Sequence, residues 1–198
     1  YKRQVLLFPA VFLRGEMSLP GSILLQSPPW NQYYQGSPPK NWLTQETLLQ
    51  GALWHRLTTE MLKDGGWPLW NSLQLGRMPL LAQRQNAVLY PPRLINLGTA
   101  PYVATTVYIL LNLWLCGFTA YLLGRGIGLS AGPAQFLSVG WMLCAYNQYW
   151  AYWPPLEVSP WAPVVLLGAE WILAGRCRKG FFTLVLGSTL LLLAGHPE

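Results

Sequence analysis

The residues best suited to chemistry lie between positions 41 and 92, a long stretch that is both polar and aromatic. Glu46 is the acid of most interest, because a carboxylate beside a membrane can take a proton from an acceptor hydroxyl. Arg77, Arg84 and Arg93 could bind a lipid phosphate through charge-assisted hydrogen bonds. A simpler interpretation stays open for each: the dipole favours an acid in the first helical turn, and surface arginines also meet lipid head groups.

An amphipathic helix is predicted over residues 44–64, and it would hold Glu46. Leucine or methionine recurs there every fourth residue from position 49 to 61, which places an apolar stripe along one helix face. Glu46, Gln50 and Trp54 form a parallel ridge beside that stripe. A helix of this kind next to membrane spans lies on the bilayer surface or packs against the spans.

The remaining elements are predicted to cross a membrane. The chain of 198 residues is 52% hydrophobic and only 10% charged, whereas soluble domains carry about a quarter charged residues. Apolar runs predict spans at about 100–123, 131–149, 156–174 and 181–195, with the end of an earlier span in 1–13. The expected fold class is therefore an all-α polytopic membrane protein with a large loop over 14–99. Because the chain starts at Tyr1 and stops after an apolar run, we expect it to be a fragment.

The distribution of basic residues predicts the orientation of these spans. The short loops 124–128 and 175–180 together carry four basic residues and no acid, whereas the loop 149–155 carries neither. Since lysine and arginine mark cytoplasmic loops, both basic loops are assigned to the cytoplasm. The loop 14–99 and His196 would then face outward from the plasma membrane.

Other functional classes find little support in the sequence. The net charge of +6 is spread along the chain or placed beside spans, which argues against a nucleic-acid partner. The three cysteines are far apart and predict neither a disulfide framework nor a metal site. Glu157 and Glu170 lie near opposite ends of the third span, where interface anchoring is the favoured interpretation and a functional role is the alternative.

Several motifs carry a resemblance to a known family. In chain order they include Glu46-Thr47-x-x-Gln50-x-x-x-Trp54, then Gly66-Trp67-Pro68-Leu69-Trp70-Asn71, then Gly76-Arg77-x-Pro79, and finally Gly195-His196-Pro197. They resemble the YfhO-type bacterial membrane proteins, a family similar to the GT-C class of integral-membrane glycosyltransferases. The class motif usually reads Asp-Pro-x-x-Gln, so Glu46 keeps the carboxylate on a longer arm.

The resemblance implies a GT-C-like helical bundle that moves a sugar from a polyprenyl-phosphate carrier to an outer-face acceptor, either a cell-envelope glycopolymer or a protein. The implied roles are a base for Glu46, base orientation or sugar binding for Gln50, sugar stacking for Trp54, Trp67 and Trp70, carrier-phosphate binding for Arg77 and Arg84, and an outer-rim polar position for His196. The class also admits a divalent metal, although the residues identify no cofactor. The alternative is a non-catalytic membrane protein of envelope transport or assembly.

Overall fold

The computed structural model describes residues 28–33, 50–74, 76–98 and 101–195. These residues are mostly helical. The α-helices are α1 (Ala52–Lys63), α2 (Ile95–Gly98), α3 (Pro101–Gly126), α4 (Ala131–Met142), α5 (Ala145–Tyr149), α6 (Pro155–Val158), α7 (Ala162–Leu173) and α8 (Cys177–Leu193). Single 3-10 turns cover Trp30–Tyr33, Arg84–Asn86, Pro91–Leu94 and Ser159–Trp161. Strands β1 (Trp70–Asn71) and β2 (Met78–Pro79) form an antiparallel pair with Trp70 opposite Pro79. The predicted first span over 1–13 lies outside the described residues.

Helix α1 supplies the described part of the helix predicted over 44–64. It ends at Lys63, and Gly65 follows with a φ of 76°, the left-handed conformation that commonly terminates helices. The buried face differs from the predicted one: Trp54 and Thr58 face inward, whereas Leu53 is 61% exposed. The polar Thr58 can be buried because its hydroxyl accepts a hydrogen bond from the Asn86 amide at 2.5 Å.

The long helices form two antiparallel hairpins, α3 with α4 and α7 with α8, and α3 also packs on α7. Small residues allow the close approach, as is common between membrane helices. A Cβ atom at Gly168 would lie 2.5 Å from the backbone nitrogen of Leu184. In the other hairpin, the Ser138 hydroxyl donates to the Gly117 carbonyl at 2.7 Å.

Helices α3 and α7 run in the same direction. Leu156, at the start of α6, packs with Ile109 and Leu113, and Leu167 lies against Gly126 at the end of α3. The basic turns that follow α3 and α7 therefore lie at the same end of the bundle. At the opposite end, Ala87 and Tyr90 pack with Ala194.

Two of the described helical segments, Val103–Gly126 and Pro155–Leu173, are long and apolar enough to cross a membrane. The second contains α6, a 3-10 turn and α7, and its interruption coincides with Pro160 and Pro163, which lack the N–H that an α-helix needs. Helix α8 begins at Cys177, earlier than the predicted residue 181, and has 17 residues.

The span predicted over 131–149 is wrong as a single helix, because α4 ends at Met142 and α5 begins at Ala145. Side chains of α5 turn back onto the end of α4 and satisfy its free carbonyl groups. The Asn147 amide donates to the Trp141 carbonyl at 2.7 Å, and the Gln148 amide donates to the Met142 carbonyl at 3.3 Å. Amide side chains thus close α4 after 12 residues.

Candidate functional site

A partly enclosed cleft lies at the end of the bundle where α3 begins. It encloses about 760 Å³ of space, its open mouth included. Helix α1 and the segment 85–93 form one side, and the first turns of α3 and the segment 151–157 form the other. The aromatic and polar side chains in its lining are Gln50, Trp54, His55, Gln85, Arg93, Thr105, Tyr108, Tyr152, Trp153 and Glu157. Residues from the predicted outer loop and from the helices therefore line the same cleft.

An ion pair between Arg93 and Glu157 forms the floor of this cleft. The two side chains are only 12% and 4% exposed, so water screens their attraction weakly. The Arg93 guanidinium carbon also lies 4.1 Å from the centroid of the Tyr108 ring, a cation–π contact. Both charged residues follow a Pro-Pro pair, and proline restricts the backbone at the start of each short helix. The pair thus has a rigid backbone on each side.

Three polar atoms at the cleft floor make no hydrogen bond to the described residues: Arg93 Nε, Glu157 Oε2 and the Tyr108 hydroxyl oxygen. The Tyr108 hydroxyl lies beside the Glu157 carboxylate and interacts with it as a weak hydrogen-bond partner, but the contact falls short of direct hydrogen-bond geometry. A buried polar group without a partner is costly. The floor therefore presents one acceptor and two donors that a ligand can satisfy.

Tyr90 fixes the floor to the helices around it. Its hydroxyl oxygen accepts from the Trp161 indole at 2.9 Å, and it lies 3.1 Å from Asn112 Oδ1 and 3.2 Å from the Glu157 carbonyl oxygen. The single hydroxyl proton can serve either acceptor. The ring packs edge-to-face on Tyr108 and Trp161. Burial raises the pKa of Tyr90, so the residue stays neutral and acts as a fixed structural link.

His55 lies between the cleft and a smaller cavity beside it, and it lines both. Burial and the nearby charge of Arg93 lower the pKa of His55 well below its usual value. The imidazole is therefore neutral at pH 7. His55 lies within the predicted amphipathic helix 44–64 and had no predicted role, whereas the structure places it near Arg93.

The structure brings only some of the predicted site residues to the cleft. Gln50 and Trp54 line it. Trp70 is exposed on β1, Arg77 is exposed between the strands, and Arg84 is exposed on its 3-10 turn, all three outside the cleft lining. Glu46 and His196 lie outside the described residues, so their roles stay predictions.

The cleft also contains residues that the sequence interpretation missed. Glu157 was expected to anchor at the membrane interface, and this is wrong because its side chain is buried against Arg93. Tyr108 lies within the predicted span 100–123, and Tyr152 and Trp153 lie in the uncharged loop 149–155; no site role was predicted for them. One available signal was the repeated aromatic-Pro-Pro sequence, which precedes Arg93 in one segment and Glu157 in the other.

A divalent-metal site does not fit this part of the chain. Within residues 50–74, 76–98 and 101–195, no group of three or more His, Cys, Asp or Glu side chains is placed to hold a metal ion. Glu157, the carboxylate that lines the described cleft, already neutralises Arg93.

Comparison with known proteins gave no match to a family model, a curated protein or a solved structure. Fold and site together define the class: a mostly helical protein with two segments long and apolar enough to cross a membrane, and a cleft at the end of those segments.

Proposed function

We propose that this chain belongs to a polytopic bacterial membrane protein that transfers a sugar from a polyprenyl-phosphate carrier to an acceptor in the cell envelope. The observation that carries the proposal is the position and lining of the cleft. It lies where α1 meets the first turns of the two membrane-length segments, and aromatic side chains form much of its wall. Such a cleft would open near the bilayer surface, where the head group of a lipid-linked donor lies.

The lining suits a carbohydrate. Trp54, Tyr152 and Trp153 supply aromatic surface, and sugar rings present apolar C–H faces that pack on such rings. The buried Arg93–Glu157 pair supplies polar atoms below that surface. Binding sites of this composition use apolar walls for contact and a few polar groups for orientation.

In this proposal Glu46 is the base that takes the acceptor proton. Gln50 lines the cleft, and Glu46 precedes it by four residues in the sequence. Arg77 and Arg84 are exposed beside the cleft-forming segments and serve as candidates for the carrier phosphate. The GT-C-like assignment itself rests on the motif resemblance.

The enzymatic proposal is tested by a transfer assay on the full-length protein in proteoliposomes, with a radiolabelled polyprenyl-phosphate sugar as donor. We expect Glu46→Gln to lower kcat at least about a hundredfold, within the range that general-base catalysis contributes. The matched control is Glu60→Gln, since Glu60 is an exposed acid on α1; this variant should transfer at the wild-type rate. Near wild-type transfer by Glu46→Gln would remove that residue from the mechanism.

The membrane arrangement is tested by thiol labelling in intact cells. Ser72, exposed in the turn after β1, is replaced by cysteine, while the exposed native Cys177 marks the opposite end of the bundle. We expect an impermeant maleimide to label position 72 in intact cells and Cys177 only in opened cells. Protection of position 72 in intact cells would contradict the topology.

A non-catalytic role in envelope transport or assembly is the second candidate. Buried Glu157 favours it, since it lies at the start of a membrane-length segment and ionisable residues in such segments often line transport pathways. Absence of any sugar transfer by the wild-type protein, combined with substrate movement across the vesicle membrane, would support this role over the enzymatic one.

A further inference from the structure

The three unpartnered atoms on the cleft floor form a hydrogen-bonding pattern. Glu157 Oε2 is an acceptor, Arg93 Nε is a donor, and the Tyr108 hydroxyl can donate or accept. Glu157 and Tyr108 are more than nine-tenths buried, and both line the cleft. A carboxylate accepts through both of its oxygens, so Oε2 can accept from a ligand while Oε1 remains with Arg93.

The charge on the floor discriminates among ligands. Arg93 and Glu157 neutralise each other, so an added phosphate would meet the carboxylate and an added cation would meet the guanidinium. Either ion would also lose hydration on approaching these buried side chains. A hydroxyl group avoids both penalties, because it carries no net charge and is both a donor and an acceptor.

The remaining lining favours a ring with apolar faces. Trp54 is 7% exposed and lines the cleft together with Trp153 and Ile109. A long acyl or prenyl chain would cover this apolar wall but would leave the polar floor unsatisfied. A polyhydroxylated ring satisfies the wall and the floor together.

From these observations we propose that Glu157, Arg93 and Tyr108 form a subsite for the neutral sugar ring of the donor or acceptor, with a ring hydroxyl donating to Glu157 Oε2 and accepting from Tyr108 or Arg93. The inference rests on the proposed function for its choice of substrate class. It assigns the carrier phosphate to a position outside this floor, and it makes Arg93 a positioning residue for Glu157.

The test measures binding of methyl glycosides to the full-length protein in lipid nanodiscs by ligand-observed NMR. The probes are the methyl α-glycosides of glucose, mannose and galactose, with cyclohexanol, inorganic phosphate and choline as comparison ligands. At least one glycoside should saturate the site, and phosphate and choline should not displace it. Failure of all three glycosides to bind, or their displacement by phosphate or choline, would overturn the proposal.

Two variants locate the binding. Tyr108→Phe keeps the ring under Arg93 and removes a hydroxyl that makes no hydrogen bond in the described structure. We therefore expect unchanged thermal stability with glycoside binding weakened by about fivefold to tenfold, the loss of one hydrogen bond. Glu157→Gln should weaken binding about tenfold or more, because the lost acceptor is charged. Glu170→Gln, at an exposed acid near the end of α7, is the control and should bind as the wild type does.

The outcome separates this inference from the proposed function. Glycoside binding that depends on Tyr108, in a protein that transfers no sugar, would support the subsite and contradict the enzyme. Sugar transfer with unchanged KM values for donor and acceptor in Tyr108→Phe would support the enzyme and overturn the subsite. If Glu157→Gln does not fold, the binding of the ligand series to the wild-type protein and to Tyr108→Phe still tests the subsite.

Discussion

Replacing Arg93 by methionine tests the central ion pair of the cleft. The side chains of Arg93 and Glu157 are 12% and 4% exposed, so the substitution leaves a buried carboxylate without its counter-charge. Removing one partner of a buried pair costs about 3–5 kcal/mol of unfolding free energy. Replacing both residues by methionine should recover most of that loss, since an apolar pair of similar volume needs no desolvated charge.

The assay is a double-mutant cycle. The purified protein is titrated with sodium dodecyl sulfate, and the titration gives the unfolding free energy of each variant. Residues that form one ion pair should give a large coupling free energy. The Arg56–Glu60 pair on α1 is the control: its side chains are 66% and 55% exposed, and Arg56→Met should leave stability unchanged because solvent screens such a pair. Two results would contradict a coupled, buried ion pair. One is an equal loss of unfolding free energy in Arg93→Met and Arg56→Met. The other is a loss in the Arg93→Met, Glu157→Met double variant that equals the sum of the two single losses.

Three further predictions concern packing and protonation. Tyr90→Phe removes the acceptor of the Trp161 indole and should lower the unfolding free energy by about 1–3 kcal/mol in the same titration. Gly168→Ala places a methyl group against the backbone of Leu184 and should cost about 1–3 kcal/mol through overpacking of α7 on α8. Because the pKa of His55 is lowered in the folded state, stability should be full above pH 6.5 and fall as the pH drops to 5.5. His55→Gln should flatten that dependence, measured at three pH values.

Matched control variants show whether these stability losses are specific to the substituted sites or follow from any substitution of the same type. Tyr149→Phe, at a residue that is 51% exposed, should change stability by less than about 0.5 kcal/mol. Gly132→Ala, where an added methyl group meets nothing within 4 Å, should be neutral or stabilising by up to about 1 kcal/mol. A wild-type loss of stability toward pH 5.5 that persists in His55→Gln would assign the effect to another group.

The sequence predicted the mostly helical fold and the segments near 103–126 and 155–173, because helix formation depends on local composition. The apolar run before Arg125 and the turn after Lys63 carried enough information to identify α3 and the end of α1. The break between α4 and α5 was not predictable in this way, since Asn147 and Gln148 end α4 only by folding back onto its carbonyl groups. Such contacts depend on the arrangement of the chain in space.

The cleft was only partly predictable for the same reason. The ridge of Gln50 and Trp54 along α1 pointed to the correct helix face, and both residues line the cleft. The pairing of Arg93 with Glu157 joins residues 64 positions apart, and no local pattern identifies that contact. Glu157 was interpreted by its place near the end of a span, whereas its burial depends on Tyr90 and Arg93 packed over it.

The most direct test of the central claim is photo-crosslinking with a polyprenyl-phosphate sugar that carries a diazirine on the sugar ring. The full-length protein in native membranes is irradiated, and labelled peptides are identified by mass spectrometry. We expect the label to fall on peptides containing Trp54 or the segment 151–157, both of which line the cleft, and Tyr108→Phe to reduce it. Labelling confined to the strands β1 and β2, with the cleft peptides unmodified, would contradict the claim.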